Sequence, residues 1–227
     1  MQYFALLPYF LILAGVGLSY VGILPAMVGW LLSALGVLSG LCLAVHSVFS
    51  RRPGWMWPTV CAALPSMLAV PMVINDLRYP RINDVATNVE DPPAFVAALE
   101  LAPNTEREMA FPEKNGSIIR GAYPNVRPLI LDEPSERVFQ RIEALAGIQA
   151  GWMITRCDAE ARTLEGEART SIFRFVDDFV IRVSTQDGKA RIDMRSKSRD
   201  GLVDAGANAK RIEGFLEQLE KATATDL

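Results

Sequence analysis

Residues 152–198 read WMITRCDAEARTLEGEARTSIFRFVDDFVIRVSTQDGKARIDMRSKS, and their alternation decides the fold of the C-terminal part of the chain. Extended runs at Trp152–Asp158, Leu164–Thr170, Ser171–Val176, Phe179–Ser184 and Lys189–Ser198 are separated by two turn signals, Asp177-Asp178 and Gln186-Asp187-Gly188. The second is a good hairpin cue. The stretch 164–176 reads as one strand or two, so an antiparallel sheet of four or five strands is expected. Ahead of it, Val138, Phe139, Ile142, Leu145 and Ala146 recur at helical spacing, with Gly147 as a stop signal. Behind it, Ile212, Phe215, Leu216 and Leu219 form the buried stripe of a helix from about Ala207 to Ala222. Together these make an α+β domain, a sheet packed by two helices on one face.

Between 79 and 134, prolines at 80, 92, 93, 103, 112, 124, 128 and 134 forbid long helices and central strands. This lead-in is expected to wrap the domain, with a short helix over Pro93–Glu100 and an edge strand near Ser117–Arg120.

The N-terminal part is of another kind. Residues 1–50 contain no Lys, Arg, Asp or Glu, whereas residues 78–227 hold 21 of the 23 basic and 25 of the 26 acidic side chains. About 20 apolar residues cross a bilayer as a helix. Three such runs, about 3–22, 26–49 and 55–75, predict a transmembrane segment over 1–77 and a soluble domain over 78–227. Trp55, Trp57 and Tyr79 stand where an aromatic belt belongs. Pro58, Pro65 and Pro71 point to a kinked third helix packed on the other two. In the second run Gly29, Ser33, Gly36 and Gly40 share one helical face, which lets another helix approach closely. That helix is a neighbour in the same chain, the favoured reading, or belongs to a second membrane protein. His46, the single histidine, is read as an interfacial anchor. Three spans with Arg51 and Arg52 in a cytoplasmic loop would send the soluble domain outward, into the periplasm of a bacterium.

The run from Asp193 to Ile212, DMRSKSRDGLVDAGANAKRI, is dense in polar groups. Alternation puts Ser196 and Ser198 on the face of Ala190, Ile192 and Met194, toward the helices, and Arg195 and Lys197 on the other, open face. Asp204 or Asn208 is placed to cap the last helix. Arg195, Ser196, Ser198, Arg199, Asp204, Asn208 and Arg211 are therefore the candidate set. In one reading Arg199 and Arg211 pair with Asp200 and Asp204 and tie the loop down. In the other, Arg195, Ser198, Arg199 and Arg211 beside a helix N-terminus form an anion site for a lipid headgroup or a carboxylate.

The same run resembles the closing motif of the domain-of-unknown-function family 1499, roughly Arg-Ser-x-Ser-Arg-x-Gly-x-x-Asp-x-Gly-x-Asn-x-x-Arg-Ile, matched at every position from Arg195 to Ile212. Asn83-Asp84-Val85-Ala86-Thr87, Asp91-Pro92-Pro93, Ala122-Tyr123-Pro124, Gly151-Trp152 and Phe175-Val176-Asp177-Asp178 are similar to it as well, so the resemblance covers about 80–222. It implies a domain identity and no mechanism. Family members occur in bacteria and plastids, some in the thylakoid lumen, which implies an exported domain.

Composition narrows the function classes. The soluble part has no histidine, which removes Ser-His-Asp and Cys-His chemistry, and no phosphate loop or dinucleotide fingerprint. Of three cysteines, Cys42 and Cys61 lie in apolar runs, and Cys157 is read as a small, buried, inert strand residue, so neither a disulfide framework nor a cysteine metal site is available. No basic patch suggests nucleic acid. The expectation is an integral protein of a bacterial inner membrane, not an enzyme, without cofactor or metal. It would act as an accessory or assembly protein in the lipid bilayer, with a membrane-protein partner on the second span. The alternative is a tethered binding module for a lipid or apolar small molecule.

Overall fold

A computed structural model describes residues 6–50 and 56–225. The chain divides into one unit of Met1–Arg78 with Thr170–Phe175 and another of Tyr79–Arg169 with Val176–Leu227.

In the first unit the three apolar runs fold as helices α1 (Leu7–Tyr20), α2 (Ala26–Ser50) and α3 (Met56–Asp76). The expectation of three membrane spans does not hold. Among the described residues only α2 is long and apolar enough to cross a membrane, by length and composition. Helix α1 has 14 residues, about 21 Å at 1.5 Å per residue, against a hydrocarbon core of about 30 Å. The apolar stretch counted within α3 is Ala63–Asp76, also too short. The structure therefore offers one candidate span, near the N-terminus, and no three-helix membrane segment. The start of the first expected span at Tyr3, the Arg51-Arg52 pair and Trp55 lie outside the described residues, as does the side chain of Trp57.

Gly29, Ser33, Gly36 and Gly40 are all buried along α2, and α1 fills much of the groove they make. A Cβ on Gly36 would lie 2.7 Å from Ile12 Cγ1 and 2.8 Å from the Pro8 carbonyl oxygen. Ser33 Oγ donates to its own helix at Gly29 O, 2.9 Å away. Pro65 of α3 has no N–H to offer the carbonyl one turn back, and that carbonyl, Cys61 O, accepts the Tyr9 hydroxyl of α1 at 2.5 Å. Ser66 Oγ donates to Val37 O of α2 at 2.6 Å. His46 Nε2 meets Ser50 Oγ one turn on, at 3.1 Å.

The second unit is built on β1 (Asp84–Ala86), α4 (Ala97–Glu100), α5 (Lys114–Ala122), β2 (Leu129–Leu131), α6 (Ser135–Gly147), β3 (Trp152–Asp158), β4 (Thr163–Arg169), β5 (Val176–Gln186), β6 (Lys189–Ser198) and α7 (Ala207–Thr225). Its sheet has six strands in the order β1-β6-β5-β4-β3, with β2 also on β6, so the expected four or five is corrected to six. All pairs are antiparallel. The two extra strands come from the lead-in: β1 and β2 lie end to end along β6, at Asp84↔Lys197 and Leu129↔Ile192. Three-residue strands leave too short an alternation to be read from sequence. Ser117–Arg120 is no edge strand but part of α5, where Ile119 is buried. Ser171–Val176 is not a strand either. Thr170 closes this loop by receiving the Phe175 N–H on its hydroxyl at 3.0 Å and donating its own N–H to Phe175 O at 2.9 Å.

One face of the sheet carries the main core. Phe179, Ile181, Val183, Ile192 and Met194 pack against Val138, Phe139 and Ile142 of α6 and Ile212, Phe215 and Leu219 of α7. Each such side chain contributes about 1.5–3 kcal/mol on burial. The other face was expected to be open, and it is not. The lead-in folds over it, and Phe95, Ala98 and Met109 make a second small core with Val180. Arg195 and Lys197, expected in solvent, are 3% and 5% exposed. A proline-rich segment too irregular to pair its backbone internally has covered the sheet instead.

Gly36→Leu should loosen α1 from α2 by roughly 1–3 kcal/mol, read as a lower helix-melting temperature by circular dichroism of the full chain in detergent. Gly17→Leu, where a Cβ meets nothing within 4 Å, should be neutral.

Candidate functional site

The candidate residues fall into two networks, one on each face of the sheet. Strand alternation separates them. Asp177 of β5 pairs in register with Ser198, and its neighbour Asp178 with Lys197, so adjacent carboxylates point to opposite sides. Both are buried inside β5 and neither stands in the solvated turn expected there.

On the helix face, α7 begins just after Ala205 and Gly206, both with positive φ. A Cβ on Gly206 would strike the Tyr79 ring at 2.5 Å, so only glycine fits. Asp204 caps the helix, its two oxygens accepting the N–H groups of Gly206 at 2.9 Å and Asn208 at 3.1 Å. Burial holds the Asp204 carboxyl above its ordinary range, opposed by these bonds. Asn208 is fully buried: its Oδ1 accepts from Ser196 Oγ at 2.7 Å and its Nδ2 donates to Ser198 Oγ at 3.0 Å. Arg211 donates to Ser196 Oγ and Asn208 Oδ1 at 2.9 and 2.7 Å and pairs with Asp177. The expected partner of Arg211, Asp204, is instead occupied as a cap.

On the opposite face Asp84 receives Arg195 in a two-pronged pair, Nε to Oδ1 at 2.9 Å and Nη2 to Oδ2 at 2.8 Å. Lys197 Nζ reaches the same Oδ2 at 2.9 Å. The guanidinium of Arg195 lies near the rings of Phe95 and Phe111, 4.6 and 5.4 Å from their centroids. Arg199 pairs with Asp178 and Glu167, each at 2.6 Å, and not with Asp200. Arg107 donates to Asn104 Oδ1 and the Ser198 carbonyl, and Asn104 Nδ2 donates to Asp178 Oδ2 at 3.0 Å. Glu165 accepts the backbone N–H groups of Val96, Ala97 and Ala98 at 3.0–3.1 Å, capping α4 from the sheet.

The structure thus brings Ser196, Ser198, Asp204, Asn208 and Arg211 together but puts Arg195 and Arg199 on the far face. The anion site expected beside the α7 N-terminus is filled by the chain's own Asp204, Asn208 and Asp177. Sequence reasoning missed Asp84, Asn104, Arg107, Glu165, Glu167, Asp177 and Asp178. The adjacent pair at 177–178, directly ahead of Phe-Val-Ile-Arg-Val, carried the signal: two acids within a strand serve both faces. Asn104 and Arg107 gave none, since they arrive from an irregular loop.

Cys157 is exposed, not buried as expected. Its Sγ donates to Glu143 Oε1 at 2.7 Å, and partial burial with that carboxylate pushes the thiol up to about 11. Among the described residues no group of three or more His, Cys, Asp or Glu is placed to hold a metal ion.

A two-faced antiparallel sheet, pinned on both sides by arginine–carboxylate networks and closed by a capped helix, defines the class of domain. The chain belongs to DUF1499, a family described as protein of unknown function, which matches residues 84–219. The match begins at Asp84, the carboxylate holding Arg195, and ends at Leu219, the last core residue of α7; the N-terminal helices lie outside it. No curated protein matches the chain.

Asp84→Asn leaves two buried cations short of their carboxylate and should cost about 3–5 kcal/mol of domain stability, read from the midpoint of urea unfolding. Raised from 9.0 to about 11, the Cys157 thiol should alkylate about a hundredfold more slowly at pH 7.5 than an unperturbed cysteine. Rates mapped to the site by mass spectrometry check this, and Glu143→Gln should speed the reaction.

Proposed function

We propose that the chain is a non-catalytic accessory protein, held at a bacterial inner membrane by Ala26–Ser50, whose DUF1499 domain acts by contact with a partner. The observation that carries this reading is the commitment of the motif residues. Arg195, Ser196, Ser198, Arg199, Asp204, Asn208 and Arg211 each hold another part of the domain through bonds to Asp84, Asn208, Asp178, Glu167, Asp177 or the α7 backbone. They are engaged as fold-defining ties and not as a nucleophile, a base or a proton relay. The packing of α1 on Gly29 and Gly36 supports a partner surface on the domain rather than on the α2 stripe.

The domain is proposed to face outward, and the support is its resemblance to exported family members. One span, like three, would put the two ends of the chain on opposite sides, but it lacks the third crossing that in the three-span reading led from Arg51 and Arg52 to the domain. Arg51 and Arg52, following a single span, favour the opposite side by the positive-inside preference. Paired reporters fused after Leu227 decide it: a signal from the reporter active only outside is expected, and one from the cytoplasmic reporter alone overturns the placement.

A ligand-binding role is the second reading, favoured by a cavity on the lead-in face. Mild-detergent capture of the tagged full-length chain at native expression, with mass spectrometry of proteins and lipids, should return a stoichiometric protein partner. A chain recovered alone, or with one enriched lipid only, overturns the accessory reading. Carbonate washing should leave the chain in the membrane fraction, and deletion of 26–50 should release it.

A further inference from the structure

Three segments of the chain meet at one end of the sheet. β6 stops at Ser198, opposite Asp177, and the next N–H, that of Arg199, donates to Val176 O at 3.0 Å. β4 stops at Arg169, opposite Val176. The lead-in enters at the same place, where Asn83 O accepts from Ser198 N and Ile82 O from Asp204 N. The β4–β5 loop (170–175), the β6–α7 loop (199–206) and the stretch 79–83 therefore all spring from this end. We infer that it is a seat on the bilayer surface, with Ile172 and Leu202 entering the zone between headgroups and acyl chains. The inference rests on the reading that the chain is held at a membrane, and adds to the span a surface of the domain.

The first support is a contrast between the two ends of β5. At the far end the exposed residues are Thr185, Gln186, Asp187, Gly188 and Lys189, all without an apolar side chain. At the near end Leu202 is 83% exposed, Ile172 49% and Val203 38%. Both near-end loops are tied at the backbone. Asn83 Nδ2 donates to Gly201 O at 2.7 Å, directly ahead of Leu202, and Asp204 is fixed as the cap of α7. Thr170 and Phe175 close the other loop at its base. Apolar side chains gathered at one end on held loops mark a surface that something covers.

The second support says what the cover is. The chain arrives at this end from an apolar helix, with only residues 77–83 between α3 and β1. Tyr79 stands in that link, with Lys210 Nζ 4.4 Å from its ring centroid. Thr170–Phe175 itself groups with the apolar helices. In that unit the Arg174 guanidinium lies 5.7 Å from the ring centroid of Tyr20, the last residue of α1, and the exposed Val21 and Ile23 follow. Tyrosine and arginine beside exposed aliphatic side chains are the composition of a membrane interface, where amphipathic residues keep an apolar body in and a polar tip out.

Charge does not choose the lipid. Arg78 and Arg81 are exposed at this end, and so are Asp76 and Asp200. The seat therefore depends on apolar insertion and asks for no particular headgroup.

The full-length chain is reconstituted in phosphatidylcholine vesicles, with the fluorescent residue dansylalanine at position 172, 202 or 186. All three positions are exposed. Position 186 lies at the far end of the eleven-residue β5, about 34 Å from its start. Phosphatidylcholine carrying a nitroxide high on its acyl chain should quench positions 172 and 202 at least about twofold more than 186, with emission shifted to the blue. Leu202→Asp should lower the quenching at 172 toward that at 186. Lipid quenching no greater at 172 and 202 than at 186, or no change at 172 on Leu202→Asp, would overturn the seat. Shielding of both positions from aqueous iodide without lipid quenching would overturn it too, since the cover would then be protein. Carbonate washing separates the two readings. A chain retained in the vesicles but unquenched at the loops refutes the seat and leaves the span standing; a chain released refutes the span and the seat with it.

Discussion

Asp84 sits in a three-residue strand at the edge of the sheet, yet it holds two cations that lie 111 and 113 residues further along the chain. Buried charge is tolerated only when paired, so Arg195 and Lys197 can occupy the inner side of β6 only if β1 delivers its carboxylate. That constraint orders the rest. It fixes the register of β1 on β6, brings the lead-in across the sheet, and sets the Arg195 guanidinium near the rings of Phe95 and Phe111. The small core of Phe95, Ala98, Met109 and Val180 follows from it.

Adjacent acids in β5 extend the same logic to both faces. Asp177 meets Arg211 on the helix side, and Asp178 meets Arg199 on the lead-in side. Two layers that never touch across the sheet are thereby tied to one dipeptide. The closing signature of the family reads in this light as the set of complementary groups that lock a sheet between two coverings. Such a signature can be shared by domains with no activity in common, because its residues are engaged inward.

The regular elements were legible in the sequence because their periodicity is long. The strand at Trp152–Asp158, the hairpin at Asp187-Gly188 and the helices over 135–147 and 207–225 all announce themselves by spacing. The inward turn of Ser196 and Ser198 followed from alternation alone. The lead-in was illegible for a physical reason: its contribution is tertiary, three-residue strands and loop residues whose meaning depends on what they cover. Arg195 looked solvent-facing because strand alternation names a side and cannot say whether that side is roofed. The apolar N-terminal runs misled in the opposite way. Uncharged composition continues past the end of α1, so a 14-residue helix reads as a longer one.

The position of β6 within the sheet has a consequence for the order in which the domain is made. It is the last strand in the chain, and it is the strand on which β1, β2 and β5 all depend. During synthesis from the N-terminus, β1 and β2 emerge with no edge to join until residues 189–198 have left the ribosome. Pairing over such separations is slow because the loop must close before any contact rewards it. For that interval the lead-in follows α3 out of the ribosome as an unpaired, proline-studded strap. Prolines that look like obstacles to structure in the finished domain also keep that strap from pairing wrongly while it waits.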